Sequence, residues 1–76
     1  MAEPERIVEI RDDSIRLGQL LKLADFIDHG SEARDLLATG VVLVNGEVET
    51  RRGRQLVAGD AVTVRGETVG IVARGH

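Results

Sequence analysis

The chain has 76 residues, with 13 acidic and 10 basic side chains that give a formal net charge of −3. A chain of this length forms one domain with a thin core, which leaves little room for a deep catalytic pocket. It has no cysteine and a single aromatic residue, Phe26. The composition therefore excludes a disulfide framework and a thiolate metal site, and it disfavours a base-stacking platform that reads single-stranded nucleic acid.

Composition also bears on location and on domain organisation. The absence of cysteine favours a reducing, cytoplasmic environment. The N-terminus is acidic and lacks a hydrophobic signal segment, and no apolar run approaches the roughly 18 residues of a membrane span. We therefore expect a cytoplasmic protein with no membrane partner. Residues 1–5 are predicted to be a flexible tail, and residues 6–76 to form a single domain.

The first part of the chain is predicted to contain a strand and a helix. Arg6–Arg11 is rich in β-branched residues and partly alternates, which indicates a short strand. Asp12, Asp13 and Ser14 are residue types that begin helices, and a helical pattern runs from Ile15. Its apolar stripe comprises Leu17, Leu20, Leu21, Ala24 and Ile27.

A second helix is predicted after a break at residues 29–31. Ser31 is a candidate N-cap for this helix, which runs to about Thr39. Gly40 follows at the position where a left-handed glycine ends many helices.

The remainder of the chain reads as strands and tight turns. Asn45-Gly46 favours a two-residue turn with positive φ at both positions, which places strands at Val41–Val44 and Glu47–Thr50. A loop near Gly53 follows. The later predicted features are Leu56–Val57, a turn at Gly59-Asp60, a strand at Ala61–Val64, a turn at Arg65-Gly66 and a strand at Thr68–Ala73. The order β-α-α-β-β-β-β predicts an α+β fold with a helix pair on a small, mostly antiparallel sheet.

Several short motifs occur in a characteristic order between about Val8 and Val72. They are Arg16–Leu21, Leu20–Leu23, Glu32-Ala33-Arg34 with Leu36-Leu37, Gly40, Val44-Asn45-Gly46, Val48–Arg51, Val57–Gly59 and Gly59-Asp60. In this order and spacing they resemble the S-four RNA-binding domain of ribosomal proteins, and in particular its small stand-alone YbcJ-like branch.

The resemblance implies a compact fold in which two helices form an L-shaped unit beside the sheet. It also implies that the helix pair and the adjoining loops face structured RNA. The chain differs from the larger family at two places: His29-Gly30 replaces a Ser-Arg or Thr-Arg pair, and Gly18 replaces an Asp. Arg34, one turn further along, occupies a place where the small branch has basic residues.

Three arginines that follow the first hairpin are candidates for RNA contact. Arg51, Arg52 and Arg54 each present a planar fork of donors that matches phosphate oxygens. The alternative is a solvated loop in which these arginines pair with Glu47 and Glu49. Exposed pairs of that kind contribute only about 0–1 kcal/mol, so stability alone is a weak reason for three arginines.

The helices supply three more candidate RNA-binding residues. Arg16 and Lys22 lie near the polar face of the first helix, and Arg34 lies on the second at a place that matches a family contact position. All three could instead be parts of ordinary solvated faces. The alternative ion-pair partners are Asp25 for Lys22, and Glu32 or Asp35 for Arg34.

The leading interpretation is a monomeric, non-catalytic module that binds structured RNA, with ribosomal RNA or tRNA and ribosome-associated partners as candidates. The negative net charge argues mildly against nucleic acid. Its distribution softens that argument, because residues 36–76 hold four acids and five bases whereas residues 1–35 hold nine acids and five bases. No nucleotide-binding glycine motif occurs, and His29 has no partner at metal-ligand spacing, so we expect no catalytic residue, metal or cofactor.

Two other functions remain open from the sequence. A protein-interaction module that docks on a ribosome-associated partner would use the acidic N-terminal half. A ubiquitin-like sulfur carrier would share Val44-Asn45-Gly46 and the late Gly-Asp, but it needs a terminal Gly-Gly, and the chain ends Arg74-Gly75-His76.

Overall fold

The computed structural model describes residues 6–74. The predicted tail, residues 1–5, lies outside the described residues, as do residues 75 and 76. The elements are β1 (Arg6–Ile10), β2 (Ile15–Arg16), α1 (Leu17–Leu23), α2 (Glu32–Ala38), β3 (Val42–Val44), β4 (Glu47–Val48), β5 (Gln55–Leu56), β6 (Ala61–Val64) and β7 (Glu67–Ala73).

The main sheet has five strands in the order β1-β7-β6-β3-β4. Its pairs are antiparallel except for β1 and β7, which run parallel. A separate two-stranded antiparallel sheet pairs β2 with β5. With its two helices, this arrangement confirms the predicted α+β fold with a mostly antiparallel sheet.

Two tight turns in the sheet each have a glycine with positive φ at their second central position. Asn45 and Gly46 have φ of 51° and 86°, and Arg65 and Gly66 have φ of 51° and 87°. Positive φ at both central residues is the geometry of a two-residue hairpin turn whose twist matches the flanking strands. The Asn45 amide also accepts a hydrogen bond from the backbone N–H of Ala61 at 2.9 Å, which ties the first hairpin to β6.

The start of the first helix differs from the prediction. The helix begins at Leu17, and its N-cap is Arg16 rather than one of the residues from Asp12 to Ser14. Ile15 and Arg16 instead form β2, which pairs with Leu56 and Gln55 of β5. The prediction was wrong here because a pairing partner about forty residues away decides the conformation of this segment.

The first helix also ends earlier than its apolar stripe indicates. It stops at Leu23 with Ala24 as C-cap, and Asp25 adopts a φ of 63°. Ala24 and Ile27 are nevertheless buried, because the chain continues along the same apolar surface after leaving the helix.

The second helix has the predicted extent but a different N-terminal arrangement. Ser31 occupies the N-cap position with helical angles, φ −65° and ψ −22°, and its side chain makes no capping hydrogen bond, so the predicted capping role is wrong. The carboxylate of Glu32 accepts a hydrogen bond from the backbone N–H of His29 at 3.0 Å instead. Gly40 has the predicted left-handed conformation, with φ of 77°.

The core lies between the helices and one face of the main sheet, and the two-stranded sheet contributes to it. Its buried apolar residues are Ile10, Leu17, Leu20, Leu21, Ala24, Ile27, Ala33, Leu36, Leu37, Val42, Val44, Leu56, Val62, Val64, Val69 and Ile71. Phe26 packs against this core and is partly buried, and the Arg6 guanidinium lies 5.1 Å from the centre of its ring. The core therefore fixes α1 and β5, the elements that flank the site described next.

Candidate functional site

An open groove of about 480 Å³ lies between the start of α1, the turn before α2 and the loop that joins β4 to β5. We call it the basic groove. It is lined by Arg16, Gly18, Gln19, Lys22, Gly30, Arg52 and Gly53. Three of these residues are cationic, and no acidic residue among residues 6–74 lines the groove.

The arginine loop, residues 50–54, is docked on the N-terminal turn of α1. The backbone N–H of Leu17 donates to the carbonyl of Arg54 at 2.8 Å, and the N–H of Gly18 donates to the carbonyl of Arg52 at 3.0 Å. These N–H groups have no acceptor within their own helix. The loop therefore satisfies two donors of α1 and is held against the helix by the same bonds.

Gly18 permits this close approach. A Cβ atom at this position would lie 2.7 Å from Cγ of Arg52 and 3.5 Å from its carbonyl oxygen. A separation of 2.7 Å is shorter than a carbon–carbon contact allows, so any larger residue would displace the Arg52 side chain. Gly18 thus lies in close contact with Arg52, a candidate contact residue.

Arg16, Gln19 and Lys22 reach the groove from α1 and its N-cap. Their spacing of three residues places them along one face of the helix, and all three are exposed. The backbone N–H of Arg16 donates to the Gln19 side-chain oxygen at 3.4 Å, which draws Gln19 back towards the start of the helix. The face predicted to be polar is therefore the face that lines the groove.

A buried carboxylate organises the arginine loop. Glu49 is only 7% exposed, and its two oxygens accept five hydrogen bonds, all from the loop. The donors are the backbone N–H groups of Thr50 and Arg51, both at 2.9 Å, Nε and Nη2 of Arg51 at 3.2 and 3.0 Å, and Nη1 of Arg54 at 3.1 Å. The bonds from Arg51 hold the pKa of the Glu49 carboxyl well below its usual range, and that from Arg54 adds to the effect.

The three loop arginines therefore have different surroundings. Arg51 and Arg54 form ion pairs with Glu49, with side-chain exposures of 72% and 34%. Arg52 forms no ion pair within the described part of the chain and lines the basic groove. The alternative expectation of pairing with Glu49 is thus confirmed for two arginines, although the carboxylate is buried rather than solvated.

The structure brings together only part of the predicted set. Arg16, Lys22 and Arg52 share the basic groove, whereas Arg34, Arg51 and Arg54 do not line it. Arg34 is exposed on α2. Within residues 6–74, neither Lys22 nor Arg34 forms an ion pair with the acidic neighbours considered from the sequence.

Sequence reasoning named Glu49 as a neutralising partner and missed its role in shaping the loop. A signal was available, because the turn at Asn45-Gly46 sets a register that places Glu49 opposite Val42. The backbone N–H of Glu49 does donate to the carbonyl of Val42 at 3.0 Å, and Val42 is fully buried. Glu47 lies two residues earlier and so points to the same face of the strand, but it is exposed. The alternation pattern alone therefore indicates that either Glu47 or Glu49 could be the buried acid.

Two kinds of feature are absent from residues 6–74. No group of three or more His, Cys, Asp or Glu side chains in this range could hold a metal ion. Neither helix is long and apolar enough to cross a membrane.

The sequence matches a family model described as the S4 domain over residues 8–72. It is 47% identical over 66 residues to a protein of Bacillus subtilis (strain 168) named "Probable ribosome maturation protein RlbA", and the alignment covers 87% of this chain and 89% of that protein. It is 41% identical over 59 residues to the Escherichia coli (strain K12) protein named "Putative RNA-binding protein YbcJ", with coverage of 78% and 84%.

Solved structures give the same relationship. The solution structure of YbcJ from E. coli, described as revealing a motif involved in RNA binding, superimposes with a TM-score of 0.69 and 32% identity over 96% of this chain and 98% of that one. The ribosomal protein S4e from Thermoplasma acidophilum superimposes with a TM-score of 0.57 and 27% identity, over 76% of this chain and 31% of that protein.

Proposed function

We propose, since this chain belongs to the S4 domain family, that it is a non-catalytic module that binds structured RNA through the basic groove. The names of the two relatives, which refer to RNA binding and to ribosome maturation, support this proposal. The observation that carries it is the convergence of Arg16, Lys22 and Arg52 on one groove that no described acidic residue lines. In a chain with a net charge of −3, such a groove is a local positive site whose field acts over about 8–10 Å.

The lining of the groove suits a phosphate backbone. The guanidinium groups of Arg16 and Arg52 can each bind two phosphate oxygens, and the Lys22 ammonium acts as a point charge. Gly30 and Gly53 line the groove, are exposed and present no side chain, so a sugar-phosphate chain can approach the protein backbone closely there.

The target is proposed to be folded rather than single-stranded RNA. Single strands are usually held by bases stacked on exposed aromatic rings. The one aromatic residue, Phe26, packs on the core beneath Arg6 and does not line the groove. Phosphate contacts fix register and orientation on a nucleic acid, so recognition here would depend on RNA shape.

The remaining candidates would extend the contact surface beyond the groove. Arg51 keeps most of its side chain exposed, and an arginine that donates two hydrogen bonds to a carboxylate retains further N–H donors. Arg34 is exposed on α2, the helix that follows Gly30 at the edge of the groove. We propose Arg16, Lys22 and Arg52 as the principal contacts and Arg34, Arg51 and Arg54 as the periphery.

We further propose ribosomal RNA, bound in the cytoplasm by a monomer during ribosome assembly, as the target. The name of the B. subtilis relative refers to ribosome maturation, and a ribosomal protein shares the fold. Maturing subunits present folded RNA of the kind that the groove suits.

Binding can be measured by fluorescence anisotropy with a labelled RNA hairpin whose stem spans about one helical turn. We expect saturable binding that weakens as KCl rises, with a slope of log Kobs against log salt of about −3, because about three phosphates are neutralised. Arg52→Gln should weaken binding and make the slope shallower by about one.

Arg65→Gln is the matched control. It removes the same charge and keeps a long side chain, but Arg65 lies in the turn between β6 and β7 and does not line the groove. Equal losses in the two variants would mean that net charge rather than the groove binds RNA. Absence of binding by the unmodified protein at low salt would contradict the proposed function itself.

A further inference from the structure

Arg52 lies between Arg51 and Arg54 in the sequence, and the Glu49 carboxylate binds both of these residues. Glu49 accepts hydrogen bonds from the backbone and guanidinium of Arg51, and from the guanidinium of Arg54. The backbone N–H of Arg54 also donates to the carbonyl of Arg51 at 3.3 Å, which closes the loop between them. The position of Arg52 therefore depends on the contacts that Glu49 makes with Arg51 and Arg54.

We propose that Glu49 is a positioning residue for RNA binding: it holds the arginine loop so that Arg52 faces the basic groove. Removing its negative charge should then weaken binding to RNA, which is the opposite of what simple charge repulsion predicts. The inference rests on the proposed RNA-binding function, and it concerns an acidic residue that does not line the groove.

Two sets of hydrogen bonds hold the loop. In the first, the backbone N–H groups of Leu17 and Gly18 in α1 donate to the carbonyls of Arg54 and Arg52. In the second, the Glu49 carboxylate accepts hydrogen bonds from N–H groups of the loop itself. A loop held in this way loses little conformational freedom when RNA binds, because its ordering has already occurred on folding.

A glutamine at position 49 could not reproduce these contacts. The carboxylate accepts five hydrogen bonds, and all of the partners are donors. A side-chain amide has one acceptor oxygen and replaces the other with an NH2 donor, which would face the Arg51 and Thr50 donors in a site that is almost fully buried. The loop would have to rearrange to satisfy those groups.

The opposing electrostatic effect is small by comparison. The charge of Glu49 is already compensated by two guanidinium groups, so its net repulsion of a phosphate is weak. Glu47, two residues earlier, is exposed and pairs with no described cation, so it provides the reference for repulsion alone.

The experiment compares Glu49→Gln with Glu47→Gln by anisotropy titration against the same RNA hairpin. Both variants remove one negative charge from the same part of the chain. We expect Glu47→Gln to bind as tightly as the unmodified protein or slightly more tightly, and Glu49→Gln to bind about five-fold more weakly or worse, because contacts between ionised groups and RNA phosphates depend on geometry. Equal or tighter binding by Glu49→Gln would overturn the proposal.

A double-variant cycle separates positioning of Arg52 from general loss of structure. If Glu49 acts through Arg52, Glu49→Gln should have little further effect in an Arg52→Gln background, and the salt slope of both variants should be shallower by about one. Additive losses with an unchanged slope would overturn the assignment.

Glu49→Asp is a second test of the positioning role of Glu49, for use if Glu49→Gln fails to fold. Aspartate retains the charge and the acceptors but is one methylene shorter, so it cannot reach both arginines in the same geometry. We expect RNA affinity between those of the unmodified protein and Arg52→Gln, and unmodified affinity would overturn the proposal. Failure of the unmodified protein to bind the hairpin would instead contradict the proposed RNA-binding function, on which this inference depends.

Discussion

Two of the connections between strands that carry arginine are built differently. The turn at Arg65-Gly66 joins adjacent antiparallel strands and adopts a two-residue geometry to which Gly66 is suited. The arginine loop contains no turn motif that would determine its conformation locally. Its shape depends on Glu49 and on the N–H groups of α1, which lies more than thirty residues earlier.

The two connections differ in how a basic side chain acquires a defined position. A tight turn fixes the backbone, but Arg65 within it does not line the basic groove. A loop held by distant partners can aim one side chain into a groove while its neighbours are occupied with a carboxylate. Long-range contacts therefore distinguish Arg52 from an ordinary surface arginine.

The largest effect is expected from breaking the local turn. Gly66 has φ of 87° with open space around it, so Gly66→Ala should lower the free energy of unfolding by about 1–2 kcal/mol through backbone strain alone. Gly53→Ala, in the arginine loop, is the control, because Gly53 is not in the left-handed region and also has open space around it. Urea unfolding measures both, and equal destabilisation would show that the two connections do not differ in this way.

A smaller effect, on binding rather than stability, is expected where the arginine loop meets α1. Gly18→Ala would place a Cβ atom 2.7 Å from Cγ of Arg52, so the Arg52 side chain must move and RNA affinity should fall several-fold. Gly30→Ala alters the same groove but meets no atom within 4 Å. If the two variants bind the RNA hairpin equally well, the packing of Arg52 on α1 is unimportant for binding.

The smallest effect is confined to acid pH. The pKa of Glu49 in the folded protein lies below its ordinary value of 4.5, so its ion pairs stabilise the fold above about pH 4.5, and this contribution is lost as the pH falls through the folded pKa. The free energy of unfolding should therefore decline less steeply between about pH 5 and pH 3 in Glu49→Gln than in the unmodified protein. Parallel declines in urea unfolding would show that Glu49 titrates normally.

The sequence predicted best those elements that local geometry determines. The strand at Ala61–Val64 has the predicted limits, the turn at Asn45-Gly46 has the predicted positive φ at both positions, and the predicted turn at Arg65-Gly66 is present. The start of α1 was mispredicted because Ile15 pairs with Leu56. A residue pattern within one segment carries no information about such a partner.

The candidate site was predictable in composition but not in arrangement. Arg16, Lys22 and Arg52 were all named from the sequence, within a set of six. That these three share a groove depends on the docking of the arginine loop over Gly18, and that docking depends on the fold. Whether the six residues contact RNA stays a prediction.

The parallel pairing of β1 with β7 has a consequence for how the molecule is made. Arg6 lies opposite Val69 and Ile10 opposite Ala73, so within residues 6–74 the one strand that pairs with β1 is β7. During synthesis from the N-terminus, β1 cannot pair until β7 has emerged, because contacts so distant in sequence form late. In a nascent chain that stops after β6, neither β1 nor the edge of β6 that faces β7 would have a partner strand. Both would be open to association with strands of other molecules.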